Sequence, residues 1–222
     1  MGYFPTFSNQ ITFMEKEINL KAKNTPQLWV LLSGNILILC GIIFPMYFKE
    51  LTNEFNIVVI LRGLGASIAP LFLFLLNGLI SSNQKAVLVF WKLKNPLPGS
   101  EAFSKLSKED ARIDRKKLKE IYGALPKNPS EQNKLWYKIY KKNSLDIVIS
   151  ESHRAFLLAR DLTTLCFLFV IFIGIPVVIL GKWPISIYYF AFLVIQYFIV
   201  VVGAQNRGRR FVTNVLATET KA

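Results

Sequence analysis

The sequence predicts an all-α integral membrane protein of four transmembrane helices, with a small helical basic cytoplasmic cap between helices 2 and 3. Three observations predict it. Apolar residues are gathered into four blocks of roughly 20, the length at which a helix crosses a hydrocarbon layer of about 30 Å. Charged residues make up only 18% of the chain, against about 25% in an ordinary soluble domain, and mean hydropathy is +0.37. The Lys and Arg residues outside the blocks gather on one side of the topology those blocks define.

Residues 1–27 read as an N-terminal cytoplasmic segment. They lack the short apolar core and small-residue cleavage pattern of a secretory signal, and Met1-Gly2 with Thr6 fits only a loose acylation pattern. Helices 1 and 2 occupy 28–81. The first block, 28–48, carries no charge and has Trp29 and Tyr47 at its ends, where amphipathic rings favour the headgroup level. The second, 57–80, contains Arg62, close enough to the outer end for its head to snorkel to water. The run Gly63, Gly65, Ala66, Ser67, Ala69 would let another backbone approach closely, within the chain or between copies.

Helices 3 and 4 occupy 156–203, with apolar blocks at 162–180 and 184–203. Helices are preferred to strands because no alternating pattern is present and only a helix closes its own hydrogen bonds in lipid. Pro45, Pro70 and Pro176 lie within spans, and kinks are expected near Pro70 and Pro176.

Charge sets the orientation. The segment 82–155 holds sixteen Lys and Arg against eight Asp and Glu, a net of +8, and the basic tail 204–222 opens with Arg207, Arg209 and Arg210. The connections on the other side are nearly free of cations, which places both termini in the cytoplasm of an inner-membrane protein.

Within the cap, residues 86–96 read as a continuation of helix 2 out of the membrane. The run Asn95-Pro-Leu-Pro-Gly99 breaks that helix. A charged helix follows over 105–121, with Leu106, Ile113, Leu118 and Ile121 on one face. The next helix starts with Ser130 as N-cap and shows Leu135, Trp136, Ile139 and Tyr140 on one apolar face. From Leu145 the chain runs helically into the third span. The cap is too small to bury a core without leaning on the membrane helices or a second copy.

No residue set forms a catalytic constellation. His153 is the sole histidine, and no nucleophile stands in a partnering pattern with it. Cys40 and Cys166 fall inside apolar blocks, so neither a metal site nor a cofactor is expected. The spans carry no Asp, Glu or His of the sort a coupled carrier uses.

Two groups stand out instead. Asp161, beside Arg160 at the cytoplasmic mouth of helix 3, needs a partner from another helix, and Arg207 is the candidate. Arg112, Arg115, Lys116, Lys117 and Lys119 form a dense cluster suited to an anionic membrane surface, while Trp136, Tyr137 and Tyr140 among lysines suit stacking on a nucleotide or nucleic acid.

The cap residues Asn95-Pro-Leu-Pro-Gly99, Ala102-Phe103, Arg112-Ile-Asp114, Gln132-Asn133, Leu135-Trp136-Tyr137, His153-Arg154, Phe156-Leu157-Leu158 and Arg160-Asp161 follow a pattern that resembles small bacterial multi-pass membrane proteins. These are similar in layout to membrane accessories and effectors of antiviral defence systems. The resemblance implies a role as a membrane-located effector or accessory; taken with the residues above, the expectation is a homo-oligomer in the lipid bilayer whose cap senses a cytoplasmic protein, nucleotide or nucleic acid while its helices perturb the membrane or conduct ions. Two alternatives are a passive anchor that recruits a cytoplasmic partner and a membrane-embedded enzyme.

Overall fold

The computed structural model describes residues 20–51 and 57–221, with side chains for 20–41 and 68–221. The acylation pattern, Arg62, Pro45 and most of the small-residue run lie outside the described side chains. Every element among the described residues is helical. In chain order they are α1 (Thr25–Leu51), α2 (Ile57–Leu79), α3 (Ser82–Phe90), α4 (Arg115–Tyr122), α5 (Pro129–Lys142), α6 (Ile147–Phe169), α7 (Ile175–Leu180) and α8 (Ile185–Lys221).

Among the described residues, two helices are long and apolar enough to cross a membrane. They are the rod Ile147–Leu180, made of α6 and α7 joined by a π turn at Val170–Gly174, and α8. A third candidate consists of Ile68–Leu79 with Ser82–Phe90. The π turn lies just before Pro176, whose ring would collide with the carbonyl four residues back in a regular helix. α2 runs on as a helix through Pro70.

The rod and α8 form an antiparallel hairpin around the turn at 181–184. Its membrane half is packed with Leu165, Leu168, Phe169, Tyr189 and Leu193, which meet Leu28, Leu32 and Leu39 of α1 and Leu73 of α2. Its other half continues past the apolar blocks and becomes the scaffold of the cap.

Four expectations are corrected. Helix 2 does not run on unbroken through 86–96: the chain turns by 101° and restarts as α3, capped by Ser81 whose hydroxyl accepts from Gln84 N while Gln84 reaches back to Ser81 N, and α3 ends at Phe90 with Trp91 in the left-handed region. The helix expected over 105–121 is broken. A π turn at Ala102–Leu106 and a single turn at Ser107–Glu109 end there, and Asp114 caps a new helix by accepting from Lys116 N and Lys117 N. Ser130 is not the N-cap of α5. Asn128 accepts from Ser130 N and Pro129 takes the first helical position, where its missing N–H costs nothing. Residues 204–221 are no separate tail, since they continue α8 without a break.

That last correction explains the cap. Its core contains Phe103, Leu106, Leu118, Trp136, Ile139, Tyr140 and Phe156, closed by Phe211, Val212, Val215 and Leu216 from the end of α8. The cap leans on a membrane helix as its size requires, and that helix supplies nearly one whole wall.

Candidate functional site

At the membrane end of the cap, α3 lies across α6. Lys85 Nζ is 2.9 Å from Asp161 Oδ1, and Arg160 reaches the same oxygen with Nε and Nη2, both at 3.3 Å. The three side chains are only 8, 14 and 6% exposed. Two buried cations therefore share one carboxylate.

Arg207 is not the partner of Asp161. It is exposed, and its Nη1 lies 3.5 Å from the Ala155 carbonyl, because the antiparallel hairpin carries it about a turn past the level of Asp161. The bend before α3 puts Lys85 there instead. Tyr197 Oη donating to Leu88 O and Gln205 Nε2 donating to Val89 O fasten α3 onto α8.

Inside the cap, Phe211 is the hub of an aromatic cluster. The His153 ring stacks on it at 4.8 Å and 12°, and Trp136 and Tyr140 meet it edge-on at 5.2 Å. Tyr140 Oη and His153 Nδ1 are 2.9 Å apart. Gln132 Oε1 accepts from Phe103 N and Ser104 N, and its Nε2 donates to Lys127 O, which ties the proline-rich segment to α5. Gly99 permits that contact, since a Cβ there would sit 2.5 Å from Asn133 Oδ1 and 2.6 Å from Trp136 Cε3.

At the far end of α8, Glu219 is almost wholly buried. Its Oε1 accepts from Tyr122 Oη at 2.6 Å and from Lys142 Nζ at 2.7 Å, and Asn143 Nδ2 donates to Oε2. Burial pushes this carboxyl up, but the hydrogen bonds from Lys142, Tyr122 and Asn143 outweigh it and hold Glu219 below its ordinary value. Burial and the Glu219 hydrogen bond raise the Tyr122 phenol. Asp110 is held well below the usual carboxylate range by the hydrogen bond from Arg112, which also reaches Thr213.

The predicted basic cluster lies at this far end. Asp114 N donates to Thr220 Oγ1 and Tyr122 to Glu219, so α4 crosses the end of α8 and carries Arg115, Lys116, Lys117 and Lys119 with it. At 1.5 Å per residue, Glu219 is about 24 Å along α8 from Gly203, where the apolar block ends. The three aromatic rings stay in contact through Tyr140, but only one faces outward: Trp136 and Tyr140 are 6 and 5% exposed and belong to the core, whereas Tyr137 is 40% exposed, with Lys141 Nζ 5.0 Å above its ring.

No three His, Cys, Asp or Glu side chains come together among the described residues in a way that could hold a metal ion. No family model, curated protein or solved structure matches this chain.

Sequence reasoning missed Lys85 and Glu219. The first carries no signal, because its role depends on a 101° bend. The second had one: Phe211, Val212, Val215, Leu216 and Glu219 recur at i, i+1, i+4, i+5 and i+8, a helical face.

Proposed function

We propose that the chain is a non-enzymatic four-span inner-membrane protein, both termini cytoplasmic, whose cap brings a cytoplasmic signal or partner to the membrane as an effector or accessory. The observation that carries this reading is the continuity of the α6–α7 rod and α8. The helices apolar enough to span a membrane are the same ones that build the cap, so a load on the cap is borne directly by the spans. The anionic cytoplasmic leaflet also favours the excess cation at Lys85, Arg160 and Asp161, which lies level with the end of the apolar blocks. A role beside antiviral defence systems, as the resemblance implies, fits such an effector.

A passive anchor uses the same continuity, and membrane potential separates the two. Induced expression of an effector depolarises cells, as read by a potential-sensitive dye, whereas an anchor relocates its partner and leaves the potential intact. Labelling of a cysteine at Lys116 by an impermeant reagent from outside the cell would contradict both.

A further inference from the structure

The far end of the cap carries apolar surface that the described residues leave uncovered. Leu145, Ile147 and Val148 are 78, 79 and 56% exposed, at the join between α5 and α6, and Ile121 at the end of α4 is exposed as well. They belong to one region, because Tyr122, Lys142 and Asn143, the neighbours of these residues in sequence, converge on Glu219. With the membrane boundary placed at Leu162 and Gly203, as the proposed function has it, lipid does not cover them. Ile147 stands about 22 Å along α6 from Leu162, where the apolar block begins, and a rod tilted by 40° would still hold it well clear of the headgroups. Isolated surface leucines need no explanation, but four large apolar residues clustered at the tip of a rigid stalk mark an interaction site.

The surroundings define the occupant. Lys119 on α4 and Lys138 and Lys141 on α5 are exposed near the patch, Lys142 is turned to Glu219, and Glu120 and Asp146 are the acids beside it, so cations outnumber acids there. An apolar centre with a charged rim is the anatomy of a protein–protein contact, and here the rim is cationic. A second copy would oppose lysine to lysine in a segment of net charge +8, a costly arrangement. Nucleic acid is disfavoured because successive stacking faces are missing: Trp136 and Tyr140 are buried, and Tyr137 is capped by Lys141.

We infer that the tip formed by Ile121, Leu145, Ile147 and Val148, with its lysine rim, docks an acidic, apolar-faced segment of a soluble cytoplasmic protein. This deepens the proposed function and rests on its placing the cap in the cytoplasm.

The test uses the full chain in nanodiscs of neutral lipid and, as probe, a fluorescein-labelled amphipathic helix of leucine and glutamate followed by anisotropy. Saturable binding is expected, weakened at least tenfold by Leu145→Ser/Ile147→Ser/Val148→Ser and at least tenfold by Lys119→Glu/Lys138→Glu, with melting temperature unchanged because all five side chains are exposed. Raising salt from 50 to 300 mM should weaken the wild type more than the lysine variant. Absence of saturable binding, or binding indifferent to the apolar triple variant, overturns the inference. So does a single-stranded 20-mer oligonucleotide that binds more tightly and ignores that variant, or a dimer in light scattering that the variant dissolves. External labelling of a cysteine at Lys116 would remove the cytoplasmic reading itself, whereas a cytoplasmic cap that fails to bind the probe removes only the docking site.

Discussion

Asp161 and Glu219 are carboxylates buried at opposite ends of one helical hairpin, and their surroundings neutralise them differently. Asp161 directs a single oxygen at two buried cations and leaves the group with an excess positive charge. Glu219 uses both oxygens, takes one cation that is itself mostly in water, and fills its remaining capacity with a phenol and an amide. Neutral donors satisfy a carboxylate without adding charge that must itself be desolvated. The membrane end of the cap is thus held by charge that needs its partners, and the far end by hydrogen bonding that tolerates loss of any one.

The largest effect expected from this difference is at Asp161. Asp161→Ala leaves Lys85 and Arg160 buried side by side and should cost about 3–5 kcal/mol, read as a lower melting temperature in nanodiscs. Adding Lys85→Met should recover much of the loss, and failure to recover it would show that the excess charge is not the cause. Gly99→Ala should come next, at about 1–3 kcal/mol, because its Cβ collides with the buried Trp136 ring. That loss should appear as faster hydrogen exchange in α5 with the spans unaffected.

Glu219→Gln should cost about 1–2 kcal/mol. It should also flatten the acid limb of the stability curve. Glu219 and Asp110 both titrate below their unfolded values, so the stability they confer is complete above the ordinary carboxylate range and is lost as pH falls through it toward their lowered native values. Thermal melts between pH 7 and pH 3 check the sign. The smallest effects belong to Lys142→Ala and Arg207→Ala. Lys142 is 61% exposed and Arg207 touches only a carbonyl, so each should cost less than about 1 kcal/mol.

Much of the architecture was legible in local pattern. The buried face of α5 and the unbroken run into α6 follow from capping and periodicity, whereas the helix expected to reach Asn95 already ends at Phe90. The cap of α5 was misplaced by two residues, at Ser130 for Asn128, because Ser and Asn near a helix start compete for the same backbone donors. What escaped was long-range. Lys85 meets Asp161 across 76 positions only because α2 and α3 are bent, and no spacing reports that bend. The end of α8 escaped for another reason: three arginines before Phe211 mark the positive side of a membrane, and that signal drew attention from the helical face behind them.

The most direct measurement is the depth of nitroxide labels along the hairpin by power-saturation spin resonance in nanodiscs. Labels at Gly203 and Leu162 should report the lipid boundary, and labels at Ile147 and Lys119 should be accessible to a water-soluble relaxant and free of lipid-borne oxygen contact. Lipid-type accessibility at Ile147 or Lys119 would mean that the cap lies down on the bilayer, and both the rigid stalk and its exposed tip would be wrong.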